Sequence, residues 1–204
     1  MPQHTLPLRF LALGDSYTIG EAVEINERWP NRFVALLAEE GIHFETPQII
    51  ATTGWTTDEL SAAIDNENPQ GTFDLVSLLI GVNNQYRGYS LESYSAEFEA
   101  LLKRAITFAA GNETKTIAIS IPDWGATPFA ADRNRQEITR EIDAFNAVNK
   151  EISAKYGVSY IDITPHSRLA LHDTTLTASD ALHPSGKVYS HWAKLVRDWY
   201  LTKP

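Results

Sequence analysis

The chain has 204 residues, no cysteine and a formal net charge of −9 at neutral pH. This length suits one domain with a sizeable core, and we predict that residues 1–204 form a single domain. The acidic balance argues against a nucleic-acid partner, which needs clustered lysine and arginine, and the lack of cysteine excludes disulfides and thiolate catalysis.

The N-terminal residues 1–9 lack the basic stretch and the long apolar run of a signal peptide. No later segment is apolar for long enough to cross a membrane. We therefore expect a cytoplasmic protein without stable membrane association.

The first half of the chain alternates apolar runs with helical patterns. Pro30 and the apolar residues behind it predict a helix that stops at Gly41. Thr56 and Glu59 have the spacing of a capping box, which predicts a short helix towards Ile64. Near-continuous apolar runs, typical of parallel strands buried on both faces, cover residues 8–13, 48–52 and 75–80.

The second half continues this alternation. Apolar residues at helical spacing occupy 91–108, 138–156 and 188–199, the last behind Pro184. Two further strand-like runs cover 116–121 and 159–161. Alternating strands and helices predict a parallel α/β sandwich.

Three of the predicted strands end in residues able to do chemistry. Gly14-Asp15-Ser16 ends the first run, Gly54 follows the second, and Asn83 follows the third. In open α/β sheets, ligands bind at the carboxyl edge of the strands. Ser16 is then a candidate nucleophile, with Asp15 bracing its turn, and the Gly54 N–H and the Asn83 amide are candidate donors. Each glycine or asparagine also has a simpler explanation, as a turn residue.

A candidate acid and base lie close together near the C-terminus. Asp180 precedes His183 by three residues, so a turn can bring its carboxylate to Nδ1 and leave Nε2 free as a base. Pro184 restrains the backbone after this pair and can begin the last helix. The simpler alternative makes Asp180 a turn residue and His183 an ordinary cap.

Cofactor and metal signatures are weak. The sequence has neither a dinucleotide fingerprint nor a P-loop, and we predict no cofactor. A zinc hydrolase is a weaker alternative, because the chain has no H-E-x-x-H. Its candidate ligands would be His166, His172, Asp173 and His183.

Taken together, Ser16, Gly54, Asn83 and His183 resemble the signature residues of the SGNH (GDSL-type) hydrolase family of esterases and lipases. They occur in the family's order and span nearly the whole chain. The resemblance implies a flavodoxin-like three-layer α/β/α sandwich with a five-stranded parallel sheet, which agrees with the five predicted strands. One departure is Asn84, where the family usually has aspartate.

The resemblance also implies a mechanism. Ser16 would attack an acyl carbonyl, and His183, oriented by Asp180, would act as base and then as acid. The oxyanion would be bound by the backbone N–H groups of Ser16 and Gly54 and by the Asn83 side chain.

Substrate contacts are predicted from loop positions. Trp55 beside Gly54 is expected to narrow the acyl pocket, and Asn84, Tyr86 and Trp124 are expected near the same crevice. Arg87 is either a site for an anionic head group or simply solvated. The partner expected here is a small-molecule ester.

Three interpretations remain open at this stage. The favoured one is a carboxylic-ester hydrolase acting on short acyl esters or lysophospholipid-like substrates. A second is a carbohydrate O-deacetylase or acyl-thioesterase with the same triad. A third is a non-catalytic ligand-binding domain, which a fluorophosphonate would fail to label at Ser16.

Overall fold

The computed structural model describes residues 6–203. The prediction that the N-terminal segment is not a signal peptide concerned residues 1–9, and residues 1–5 of this segment lie outside the described residues. A five-stranded parallel sheet forms the centre, in the order β2-β1-β3-β4-β5. This order is that of flavodoxin-like folds, and it confirms the predicted sheet. The strands are β1 (Phe10–Asp15), β2 (Gln48–Thr52), β3 (Leu75–Leu79), β4 (Thr116–Ile119) and β5 (Ser159–Ile161).

Four strand boundaries differ from the prediction. The strand β1 begins two residues later than expected, because Leu8 makes only an isolated bridge with Phe44, and it ends two residues later, at Asp15. The strands β3 and β4 end before Ile80 and Ile121, although both residues are fully buried. Apolar character therefore marks the core at these positions rather than the sheet.

Eight α-helices connect and cover the strands within the described residues. None of them combines the length and apolarity needed to span a bilayer. They are α1 (Ser16–Ile19), α2 (Trp29–Glu39), α3 (Thr57–Glu67), α4 (Val82–Tyr86), α5 (Leu91–Phe108), α6 (Arg135–Lys155), α7 (Thr164–Ser167) and α8 (Gly186–Thr202). Short 3₁₀ turns lie at Ile25–Glu27, Glu113–Lys115, Trp124–Ala126, Pro128–Ala130, Arg168–Leu171 and Thr174–Leu176.

Local sequence explains where the helices begin. The predicted capping box of α3 is present, with Thr56 and Glu59 bonding each other's backbone. The last helix begins at Gly186 rather than at Pro184, because Pro184 forms an antiparallel bridge with Thr177. The residue between them, Ser185, is the N-cap.

Helices cover both faces of the sheet. On one face α3, α5 and α6 pack against the strands, and on the other α2 packs against α8. Phe10 of β1 contacts the rings of Trp29 and Phe33 of α2, with centroids 5.9 and 5.4 Å away. Burial of these aromatic and aliphatic side chains supplies the main driving force for this three-layer arrangement.

The strand order places a topological switch point between β1 and β3. The chain leaves β1 towards β2 on one side of the sheet and leaves β3 towards β4 on the other. The resulting crevice lies at the carboxyl ends of both strands, where ligands bind in folds of this type. Ser16 follows β1 directly, and α4 follows β3.

Candidate active site

Ser16 is the first residue of α1, a single helical turn that continues directly from β1. The Asp15 side chain caps this turn, with Oδ1 accepting a hydrogen bond from the Tyr17 N–H at 3.0 Å. Gly14 is required because a Cβ there would collide with Thr18 and with a carbonyl of β3. These contacts hold Ser16, of which only 3% is exposed, at the switch point.

The carboxyl group that braces this turn is itself completely buried. Burial raises the pKa of Asp15 to about 7, and the hydrogen bond from the Tyr17 backbone opposes this only in part. In the folded chain Asp15 therefore keeps its proton over a pH range in which an unfolded chain has lost it.

We expect Asp15→Asn to change how stability depends on pH. Between an unfolded pKa of 3.8 and a folded pKa of about 7, the folded wild type binds one more proton than the unfolded chain. The stabilisation is complete below the unfolded pKa and is lost as pH rises through the folded pKa. The variant lacks this titration and does not lose this stability as the pH rises. The free energy of unfolding of Asp15→Asn minus that of wild type should therefore be about 3 kcal/mol larger at pH 8 than at pH 5.

Urea unfolding at both pH values measures this difference. The exposed Asp132→Asn is the control and should stay parallel to wild type. A constant difference between Asp15→Asn and wild type at the two pH values would contradict the expected titration.

Asp180 and His183 form the close pair that their spacing predicts. The imidazole Nδ1 lies 2.6 Å from Asp180 Oδ2, while Oδ1 accepts the backbone N–H groups of Leu182 and His183, both at 3.0 Å. Ala181 completes the turn in the left-handed region, with φ of 62°. Such a conformation costs an alanine about 1 kcal/mol, so the surrounding contacts must hold the turn closed.

The electrostatics of this pair favour a charged acid. Partial burial acts to raise the pKa of Asp180, but the hydrogen bonds from His183 and from the Leu182 backbone outweigh it and place the pKa below its usual value. A carboxylate at this position accepts from Nδ1–H and leaves Nε2 available as a proton acceptor.

Asn83 lies on the first turn of α4, directly beyond β3. Its Nδ2 donates to the Trp55 carbonyl at 2.9 Å and lies 3.5 Å from Asp15 Oδ2. The amide is thereby fixed beside the turn that carries Ser16.

One cavity of about 200 Å³ brings together three of the residues predicted for catalysis: Ser16, Asn83 and His183. Among the described residues no hydrogen bond joins Ser16 to His183, and such contacts often tighten only when substrate binds. The remaining lining residues form an apolar and aromatic wall consisting of Tyr17, Val82, Tyr86, Trp124, Phe129 and Leu182.

The aromatic wall is built by edge-to-face ring contacts. Trp124 lies between Tyr86 and Phe129, with ring centroids 5.3 and 6.1 Å away. Its Nε1 donates to Gln85 Oε1 at 2.7 Å, and Gln85 in turn donates to Glu141 at 2.7 Å. The predicted positions of Tyr86 and Trp124 beside the crevice therefore agree with the structure.

Two of the predicted substrate contacts do not line the cavity. Asn84 is fully buried and bonds Thr57, accepting its N–H at 3.1 Å and donating to its hydroxyl at 2.6 Å, so the predicted substrate contact is wrong. The side chain of Trp55 packs partly buried against the core, outside the residues that line the cavity, so it does not narrow the acyl pocket.

Gly54 lies at the edge of the crevice rather than in its lining. It has φ of 89°, in the left-handed region that favours glycine, and its carbonyl accepts a hydrogen bond from Arg87 at 2.6 Å. Within residues 6–203 its own N–H donates to no other protein group. Arg87 also pairs with Glu59 at 3.3 Å, so it is neither simply solvated nor fully free for a head group.

Sequence reasoning missed three neighbours of the site. The Tyr17 ring lies 5.1 Å from the His183 ring, and Val82 and Leu182 also line the cavity. Each of the three directly follows or precedes a predicted site residue, and this adjacency was the only available signal.

The four residues of the zinc alternative are not brought together. His166 stacks on His191 with ring centroids 3.8 Å apart, and Asp173 faces Lys187 at 3.9 Å. In the part of the chain that the structure describes, no three histidine, aspartate or glutamate side chains gather in a group able to hold a metal ion.

Comparison with protein families gives one match, to the model of the GDSL-like lipase/acylhydrolase family over residues 12–191. No curated protein matches the sequence. The matched range includes every residue that was predicted to act in catalysis.

Solved structures share the fold at low sequence identity. A lipase/acylhydrolase from Enterococcus faecalis has a TM-score of 0.69 and 20% identity, covering 94% of both chains. The acetylxylan esterase Axe2 from Geobacillus stearothermophilus has a TM-score of 0.68 and 19% identity, covering 96% of this chain and 93% of its own. The esterase EstA from Pseudoalteromonas sp. has a TM-score of 0.66 and 16% identity, covering 95% and 99%.

Proposed function

Because this chain belongs to the GDSL-like lipase/acylhydrolase family, we propose that it hydrolyses carboxylic esters of short acyl groups through an acyl-enzyme on Ser16. One observation carries the proposal: a serine, an amide donor and an aspartate-bound histidine share one small cavity at the switch point of the sheet. A nucleophile, a base and an electrophilic donor are the parts that acyl transfer requires.

Acylation follows from this geometry. The Ser16 hydroxyl adds to the ester carbonyl while His183 Nε2 takes its proton, which gives a tetrahedral oxyanion. Collapse expels the alcohol, which receives that proton, and leaves the acyl group on Ser16. Asp180 stabilises the imidazolium throughout, because its low pKa keeps it charged.

Deacylation repeats these steps with water as the nucleophile. His183 takes a proton from water while the water oxygen adds to the acyl carbon. The second oxyanion then collapses, the Ser16 oxygen leaves with the proton from His183, and the carboxylic acid is released. In both halves the oxyanion is stabilised by the N–H groups of Ser16 and Gly54 and by the Asn83 amide, which becomes most effective when charge develops.

The cavity favours a short acyl group. Its volume of about 200 Å³ lies below the range of roughly 300–1,000 Å³ that drug-sized ligands occupy. Its lining beyond the reacting groups is apolar and aromatic, which suits a hydrocarbon chain or methyl group better than a charged one. A lysophospholipid with a long acyl chain fits this volume less well.

A panel of esters tests the proposal. We expect p-nitrophenyl acetate and butyrate to be hydrolysed faster than the laurate and palmitate, and we expect a fluorophosphonate to label Ser16. Acetylated xylo-oligosaccharides and an acetyl thioester belong in the same panel, because an acetylxylan esterase shares the fold. Absence of both labelling and hydrolysis would overturn the proposal.

A thin wall limits the depth of the cavity. Tyr17, Trp124 and Leu182 line it and also line a second, smaller cavity of about 20 Å³. Of these three side chains, Leu182 is the simplest to shorten. The second cavity has room for about one water molecule.

Leu182→Ala is therefore expected to join the two spaces and to move the preferred acyl chain towards greater length. The ratio of kcat/KM for p-nitrophenyl hexanoate over acetate should rise about tenfold, the effect of burying about two further CH₂ groups at ~0.8 kcal/mol each. Leu169→Ala, at an exposed leucine, is the control. An unchanged ratio in Leu182→Ala would show that this wall does not set acyl length.

A further inference from the structure

We propose that Arg87 is a positioning residue that holds the Gly54 N–H in its oxyanion-binding orientation, a role that rests on the proposed function. The loop concerned, residues 53–56, connects β2 to α3 and is called here the Gly54 loop. Two hydrogen bonds tie this loop to α4.

A single turn of helix binds two successive carbonyls of the Gly54 loop. Asn83 and Arg87 are four residues apart, so their side chains lie on one side of α4. Asn83 Nδ2 donates to the Trp55 carbonyl at 2.9 Å, and Arg87 Nη2 donates to the Gly54 carbonyl at 2.6 Å. The helix turn that supplies one oxyanion donor thus also fixes the loop that supplies another.

Glu59 completes this arrangement from the far side of the loop. Its Oε2 accepts the Thr56 N–H at 2.9 Å and pairs with Arg87 Nη1 at 3.3 Å. The backbone hydrogen bond from Thr56, together with Arg87, lowers the pKa of Glu59, so the carboxylate stays charged. Three consecutive residues of the loop, 54 to 56, are therefore bonded through their backbones.

The need for such bonds follows from Gly54 itself. Glycine at φ of 89° has no Cβ to restrict rotation, and its neighbouring peptide groups reorient readily. Its N–H has no protein acceptor within the described residues. Gly54 lies inside a turn that the Trp55 N–H closes on the Thr52 carbonyl at 3.3 Å. The bonds from Arg87 and Asn83 to the carbonyls of Gly54 and Trp55 hold this turn against α4, and the orientation of the Gly54 N–H follows from that of the turn.

Arg87 contributes little to overall stability by this account. Its side chain is 42% exposed and that of Glu59 is 40% exposed, and exposed ion pairs stabilise proteins weakly. The main effect of Arg87 is then on the transition state, in which a well-oriented Gly54 N–H donates to the negative charge that develops on the oxyanion.

Arg87→Met tests the proposal. We expect kcat for p-nitrophenyl acetate to fall about 10- to 100-fold, less than for outright removal of a donor, because the N–H is loosened rather than lost. KM should change less than twofold, and the melting temperature should stay close to that of wild type. Arg87→Lys should recover part of kcat, since an ammonium reaches one carbonyl but not both partners.

The matched control is Arg104→Met. Arg104 also binds a backbone carbonyl, that of Ser61 at 3.1 Å, and a carboxylate, that of Asp65 at 2.6 Å, but it lies on α5 away from the cavity. This variant should keep the wild-type kcat. An equal fall in both arginine variants would mark a general loss of packing and overturn the proposal.

Other outcomes are equally decisive. A raised KM with an unchanged kcat would make Arg87 a substrate contact, and an unchanged kcat would remove it from the mechanism. The amide resonance of Gly54 gives a readout independent of turnover: it should broaden or shift in Arg87→Met and remain in place in Arg104→Met. If the wild type hydrolyses no ester, the proposed function fails, and this resonance still decides the positioning role.

Discussion

Ser16→Ala is expected to reduce kcat for p-nitrophenyl acetate on the order of 10⁶-fold, the scale seen when a serine hydrolase loses its nucleophile. Without the hydroxyl no acyl-enzyme can form, and the oxyanion donors can assist only direct attack by water. The substitution removes one buried oxygen at a residue that is 3% exposed, and alanine is well tolerated in helices.

The assay needs two readouts, because a variant can lose activity by misfolding. Ser16→Ala should keep the circular dichroism spectrum of wild type while losing both turnover and fluorophosphonate labelling. Ser93→Ala, at an exposed serine of α5, should keep all three properties. Retention of a tenth or more of wild-type kcat in Ser16→Ala would remove this residue from the role of nucleophile.

Asn83→Ala is expected to lower kcat by about 10²–10³-fold with little change in KM, because its amide stabilises charge that exists only in the transition state. The side chain has two N–H groups: Nδ2 donates to the Trp55 carbonyl at 2.9 Å and lies 3.5 Å from Asp15 Oδ2. Asn83→Asp has nearly the same shape but no N–H, so it should lose at least as much.

Steady-state kinetics over a range of p-nitrophenyl acetate concentrations separate kcat from KM. The exposed Asn66→Ala on α3 is the control and should match wild type. A large rise in KM at constant kcat would indicate that Asn83 binds the ground state and contributes no selective stabilisation of the transition state.

Much of the site could be predicted because its residues stand at the ends of buried apolar runs. Parallel strands deliver their carboxyl ends to one edge, so Ser16 and Asn83 were expected to meet there. The spacing of Asp180 and His183 predicted a local turn, which needs no information about the rest of the fold. The structure places Ser16, Asn83 and His183 around one cavity.

The errors have a different physical origin. Asn83 and Asn84 are adjacent in sequence, but successive side chains on a helix point about 100° apart, so only one of them faces the cavity. Trp55 follows Gly54 directly, yet its side chain packs against the core. Adjacency along the chain locates a backbone segment, whereas the direction of each side chain depends on contacts with distant elements.

The sequence also did not show which neighbouring residues support the site. Gln85 is 7% exposed and accepts a hydrogen bond from the indole Nε1 of Trp124, although no sequence pattern relates the two residues. For Arg87 the sequence allowed two interpretations, a site for an anionic head group or a solvated side chain. Its contacts with Glu59 and the Gly54 carbonyl are visible only in the structure. These are long-range contacts, which a single sequence does not encode locally.

The hydrogen bond from the Phe129 N–H to the Ala181 carbonyl, 3.0 Å long, joins the aromatic wall to the turn that carries His183. Ala181 stands between the acid and the base, so a displacement of Phe129 reaches both through one peptide group. A shift of the Phe129 backbone is therefore expected to move the base together with the aromatic wall. Variants selected for bulkier substrates at Phe129 should consequently show lower turnover on all esters, including acetate, and a compensating second change is expected in the Asp180–His183 turn.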